Sequence, residues 1–215
     1  VGTKIQAEGL KMEKNWTGNS HTTYAVLGAS DHSDRERETN DYYATDPKAL
    51  ELFLDIIDFP LSNNIWECAC GEGHLSKVLI DRGYTVKSTD IIDRGFGNEL
   101  QNFLSISPLF GDVSYDGDIL TNPPYKFAQE FVEKALEIVK EDKYVIMFLK
   151  IQFLEGKKRK KLFEVHPPKY VYISSSRLDC SLNGQFTSRD GSAVAYAWYV
   201  WQKGYRGDPV IKWFN

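Results

Sequence analysis

From residue 65 onward short apolar runs alternate with amphipathic stretches, and this rhythm restricts the possible folds more than any other feature. Ile65–Cys70, Tyr84–Ser88, Asp118–Thr121, Tyr144–Leu149, Lys169–Ser174 and Val194–Gln202 have the length and the β-branched or aromatic character of buried strands. Val194–Gln202 is expected to close the chain as its last long strand. Between the runs, His74–Arg82 places Leu75, Val78 and Leu79 on one helical face and stops at Gly83. Lys126–Lys140 carries Phe127, Phe131, Leu136 and Val139, and Lys157–Val165 reads as a basic helix. Upstream, Asp46 fits a helix N-cap and Pro47 the first helical position, followed by Leu50, Phe53, Leu54 and Ile57 at helical spacing. Strands alternating with helices predict an α/β fold: a mostly parallel sheet with helices on both faces. Such sheets bind ligands at the carboxyl ends of their strands, where Glu67–Gly73 and Asn122–Tyr125 both fall.

Residues 1–41 are polar and weakly patterned, so an irregular N-terminal arm is expected ahead of a single domain over 42–215. The formal net charge of −4 argues against a broad basic nucleic-acid surface but leaves room for a local basic patch. Three cysteines, an odd number, suit a reducing compartment without disulfides. No run approaches the ~18 apolar residues of a membrane span. The expectation is a cytoplasmic protein without membrane contact. His21, His32, His74 and His166 lack ligand spacing, so no metal site is expected.

Asn122-Pro123-Pro124-Tyr125 is the most specific local chemistry in the chain. Pro123 biases Asn122 away from the α region, and the proline pair stiffens the backbone that follows. An amide oxygen and a proline carbonyl can together accept both hydrogens of one amino group, while Tyr125 offers a flat stacking face. Taken alone, the segment is also compatible with a strand ending in a Pro-Pro turn.

Gly71 and Gly73 lack a Cβ and let backbone approach a ligand closely. Asp90, closing the next strand, can accept both hydroxyls of a ribose. A dinucleotide fingerprint is the alternative, but Ser76 stands where its third glycine belongs, and Gly71–Lys77 does not fit a Walker loop. The turn and acid point to an adenosine-type ligand.

Together, Glu67–Gly73, Asp90 and Asp118–Tyr125 resemble the class I S-adenosylmethionine-dependent methyltransferases with their Rossmann-like sheet. Within that class the likeness is to the amino-methyltransferases of adenine in DNA, of the small phage or prophage type. The resemblance covers roughly residues 42–202. It implies S-adenosylmethionine as cofactor and DNA as substrate. It assigns Glu67, Cys68, Gly71 and Gly73 to the cofactor, and Asp90 to its ribose. Tyr43 and Thr45 belong to a segment that resembles the motif beside the methionine end, with Asp46 as an extra residue before Pro47. Asn102 and Phe103 stand where the family often has Asp-Phe-Leu; Asn102 replaces the acid beside the cofactor's adenine amine. Asn122, Pro123, Pro124 and Tyr125 would receive the target adenine, with Asn122 also adjoining the cofactor. The base must leave the duplex to reach them.

Other readings stay open at this level. Lys157, Lys158 and Arg159 suit phosphate contact or a solvated helix face equally. Arg177 and Phe186, in the polar stretch 175–192, suit substrate contact or a plain connection. The same amide chemistry would serve adenine in RNA or a protein glutamine, and a non-catalytic cofactor-binding subunit is a further alternative. The short interval between Gly71 and Asn122 holds no large recognition domain. Low sequence specificity, or a protein partner or homo-oligomer that supplies it, is therefore expected.

Overall fold

The computed structural model describes residues 44–107, 114–176, 180–181 and 194–215, all within one compact unit, Glu36–Asn215. The expected N-terminal arm lies outside the described residues. The chain runs through β1 (Ala44–Thr45), α1 (Pro47–Ile56), β2 (Asn64–Glu67), α2 (His74–Asp81), β3 (Thr85–Asp90) and β4 (Glu99–Leu100). It continues with β5 (Asp118–Thr121), α3 (Ala128–Ile138), β6 (Tyr144–Lys150), α4 (Lys160–Val165), β7 (Tyr170–Ser174), β8 (Cys180–Ser181), β9 (Tyr196–Gln202) and β10 (Val210–Phe214). Asp46 caps α1 as its sequence suggests: its Oδ1 accepts the Lys48 N–H at 2.9 Å, with Pro47 at the first helical position.

An eight-stranded sheet in the order β10-β7-β9-β6-β5-β2-β3-β4 forms the body. Every pairing in it is parallel except those of β9, which runs antiparallel to both β6 and β7. β2, β3 and β4 wind outward in one direction, and β5 and β6 return on the other side of β2. The switch in winding therefore lies between β2 and β5, where a crevice opens at the carboxyl ends of the strands. Alternate strand residues feed two cores. Trp66, Ile119, Val145, Met147, Tyr199 and Trp201 pack with α3 and with Leu162 of α4. Ile65, Leu120, Ile146, Phe148, Trp198 and Val200 pack with Leu50 and Phe53 of α1 and with Leu75 and Leu79 of α2 on the opposite face. Helices thus cover both faces, which is why the central strands read as continuous apolar runs.

Several boundaries differ from the sequence expectation. β2 ends at Glu67, so Cys68 and Cys70 lie in the turn rather than the strand. α4 starts at Lys160, and residues 157–159 form the turn before it. Val194–Gln202 does not close the chain: the shorter β10 follows and pairs with β7 in parallel at the sheet edge. Val210, Ile211 and Trp213 of this strand are exposed, so it carries no burial signature. Among the described residues no helix is long and apolar enough to cross a membrane.

Candidate active site

The carboxyl ends of β2, β3 and β5 border a cleft of about 340 Å³, a volume suited to a small organic ligand. Its floor begins at Glu67, the last residue of β2, which is buried and hydrogen-bonded to Ser76 Oγ. Ser88 Oγ lies 2.7 Å from the same Ser76 hydroxyl. Ser76 is thus a partner of the acid beneath the turn, which explains a serine where a dinucleotide fold would have glycine. Burial pushes the Glu67 carboxyl from an ordinary 4.5 up to about 8, with the nearby Asp90 carboxylate acting in the same direction.

The turn beyond Glu67 depends on glycine twice. Gly71 and Gly73 have φ of 54° and 77°, in the left-handed region, and a Cβ on Gly73 would lie 2.3 Å from the Phe96 ring. Asp90 ties this turn to the end of β3: its Oδ2 accepts the Gly71 N–H at 2.8 Å and its Oδ1 accepts the Ile92 N–H at 2.9 Å. Each carboxylate oxygen still has a second lone pair for a ligand hydroxyl. Gly71 and Gly73 shape the turn without lining the cleft, whereas Glu67, Cys68 and Asp90 line it directly.

Across the cleft, β5 delivers Asn122 and the two prolines, and Tyr125 opens a short 3-10 turn leading into α3. Asn122 Nδ2 donates to Thr45 Oγ1 at 2.8 Å. The amide nitrogen therefore faces β1, and Oδ1 is the acceptor that the residue brings to the cleft wall. Thr45 is itself held by pairing of β1 with β8, Thr45 opposite Cys180. The Tyr125 ring lies 5.9 Å from that of Tyr196 and 4.9 Å from Lys150 Nζ.

A third wall comes from the segment after β4. Phe103 is buried against Trp66 and Phe131, with ring centroids 5.5 Å and 5.1 Å away. Asn102, expected beside an adenine amine, is exposed and caps the 3-10 turn of Phe103–Ser105, its Oδ1 accepting the Leu104 N–H at 3.1 Å. Its neighbour Gln101 instead holds Oε1 buried in the cleft wall, without a hydrogen-bond partner among the described residues. A buried acceptor of this kind suits a ligand N–H donor.

The expected site residues Thr45, Glu67, Cys68, Asp90, Asn102, Phe103, Asn122, Pro123, Pro124 and Tyr125 converge on this one cleft. Tyr43, Arg177 and Phe186 lie outside the described residues. Lys157 and Lys158 are exposed and do not line it. Arg159, expected at phosphates, lines a second, smaller cleft instead, and its guanidinium donates to the carbonyls of Gln152, Phe153 and Glu155. It therefore fixes the loop after β6. Sequence reasoning missed Ile91, Ile92, Gln101 and Phe131 as cleft residues. The Ile91-Ile92 pair directly after the strand-ending acid was a usable signal, since Ile91 is 62% exposed at the cleft. Burial pushes the Cys70 thiol up to about 12 and Cys68 well above its ordinary range, which disfavours either as a nucleophile. Among the described residues no group of three His, Cys, Asp or Glu side chains is placed to hold a metal ion.

No protein-family model matches the chain, and no curated protein matches it by sequence. Solved structures do. A candidate RNA methyltransferase from Pyrococcus horikoshii aligns over 86% of this chain and 98% of its own, with 14% identity and a TM-score of 0.52. A candidate class I S-adenosylmethionine-dependent methyltransferase from Listeria monocytogenes aligns over 89% of this chain and 70% of its own, with 13% identity and a TM-score of 0.52. The modification subunit of a candidate type I restriction enzyme from Vibrio vulnificus aligns over 88% of this chain and 48% of its own, with 14% identity and a TM-score of 0.51. The chain has the Rossmann-like α/β fold of the class I methyltransferases.

Proposed function

We propose that the protein is an S-adenosylmethionine-dependent methyltransferase acting on the exocyclic amine of adenine in DNA. The observation that carries this reading is the Asn122–Thr45 hydrogen bond beside Pro123-Pro124-Tyr125, in the same cleft as Asp90 and the Gly71–Gly73 turn. The residues fit the cofactor. Asp90 would accept from the ribose hydroxyls, Ile91 and Phe103 would flank the adenine, and the buried Gln101 Oε1, rather than Asn102, would accept from its amine. Glu67 and the turn would border the methionine end. Bound there, the cofactor supplies an electrophilic methyl group on a sulfonium sulfur.

The amine of adenine is a weak nucleophile because its lone pair is delocalised into the ring. Asn122 Oδ1 and the Pro123 carbonyl would each accept one of its hydrogens, favouring a more tetrahedral nitrogen with its lone pair directed across the cleft. Tyr125 would stack on the base, which has left the duplex. The proton lost on substitution passes to water, since no side chain of the Asn-Pro-Pro-Tyr segment is a base. Acceleration comes chiefly from alignment and from fixed dipoles. Sequence specificity is low or is supplied by a protein partner or a second copy.

The test is transfer of labelled methyl from S-adenosylmethionine to unmethylated DNA, to RNA and to a protein extract, followed by nucleoside analysis. Methyladenine from DNA is the expected product. Label confined to RNA or protein would move the substrate, and cofactor binding without any transfer would leave only a binding subunit.

A further inference from the structure

Beyond Tyr125 a second, smaller cleft of about 150 Å³ opens, lined among others by Lys150, Gln152, Phe153 and Arg159. Tyr125 is a wall of both clefts. Lys150 closes β6, and its ammonium lies 4.9 Å from the Tyr125 ring centroid. Among the described residues no carboxylate lies within salt-bridge distance of it. The backbone here is held firmly. Tyr199 Oη donates to the Lys150 and Ile151 carbonyls, at 3.2 Å each, and the Ile151 N–H donates to the Ala195 carbonyl at 2.9 Å. Arg159 fixes the far wall through its three carbonyl acceptors and lies over the Phe153 ring. Exposed Lys157, Lys158 and Lys161 follow in the chain, while Lys160 is paired with Glu164.

We propose that this second cleft is a phosphodiester subsite for the nucleic-acid strand that carries the target base, with Lys150 as its cation. The inference rests on the nucleic-acid reading of the main cleft. A base stacked on Tyr125 in the main cleft has the Lys150 ammonium beyond the same ring, in the second cleft. The phosphate of that nucleotide, one sugar away, offers this cation its anion. The flexible lysine stem lets the ammonium reach it while the pinned backbone limits its range. Lys150 is a positioning residue: it holds the strand and leaves the amine chemistry to Asn122.

The experiment compares wild type with Lys150→Met and Lys150→Arg. Binding of a labelled oligonucleotide, as DNA and as RNA of the same sequence, is followed by anisotropy between low and moderate salt with S-adenosylhomocysteine present, alongside steady-state methylation. For Lys150→Met the oligonucleotide Kd and KM should rise about tenfold, and the slope of log Kd against log salt should shrink by about one contact. Its kcat should fall by less, its S-adenosylhomocysteine Kd should hold, and Lys150→Arg should restore binding. Unchanged affinity and salt slope in Lys150→Met would overturn the subsite, as would a parallel loss of cofactor affinity. A wild-type protein that binds S-adenosylhomocysteine but neither nucleic acid would overturn the underlying reading, and the subsite with it.

Discussion

Asn122 Nδ2 donates a 2.8 Å hydrogen bond to Thr45 Oγ1, joining residues 77 positions apart in the chain. This bond decides which end of the Asn122 amide serves as the acceptor. Removing it frees the amide to turn and present a donor where the proposed reaction requires an oxygen. Thr45→Val should therefore lower the single-turnover methylation rate about tenfold, in line with a net hydrogen-bond contribution of about 1–1.5 kcal/mol. Thr45→Ser should stay close to wild type. Equal rates for Val and wild type would dismiss the clamp.

The two neighbours Gln101 and Asn102 should separate by substitution. Gln101→Leu removes the buried cleft acceptor and should weaken S-adenosylhomocysteine binding about tenfold by titration calorimetry, near 1.4 kcal/mol. Asn102→Ala removes the cap on Leu104 and should mainly lower Tm. A reversed pattern would return the adenine contact to Asn102.

Glu67 gives stability a pH dependence. Its folded pKa, about 8, lies above its unfolded value near 4.5 because the buried carboxyl resists ionisation. The folded state thus binds the proton more tightly, and this contribution is fully present below about pH 4.5 and lost as pH rises through about 8. Buried Asp118 is raised in the same direction. Tm should fall between pH 5 and 9, and Glu67→Gln should flatten part of that fall. Parallel curves for the two proteins would contradict the assignment.

The thiols of Cys68 and Cys70 should be inert. Both are buried and neutral, so iodoacetamide at pH 8 should label them far more slowly than in denatured protein. Rapid native labelling that abolishes transfer would bring a nucleophilic cysteine back into consideration.

The sheet was legible in the sequence because strands covered on both faces must be apolar throughout. In Tyr144–Lys150 and Tyr196–Gln202 every residue but the last is buried. The candidate site was legible because each of its parts is a short local motif at a strand end. What the sequence concealed depends on distant partners. β10 is a short run, Val210–Phe214, at the sheet edge, and only the folded sheet shows its pairing with β7. Arg159 looks like one more cation in a basic run until the folded loop brings three carbonyls to it. Gln101 and Asn102 are two similar amides, and only the turn at Phe103 decides which one faces inward.

In the proposed reaction the Asn122 amide oxygen directs the reacting amine. The most direct measurement is single-turnover methylation of unmethylated DNA by wild type and Asn122→Ala, with cofactor affinity determined on the same samples. Wild type should yield N6-methyladenine, and the variant should react slower by a hundredfold or more, on the order of the loss of one preorganised polar contact. Cofactor binding should change far less. A variant that methylates adenine at the wild-type rate would contradict that role for Asn122.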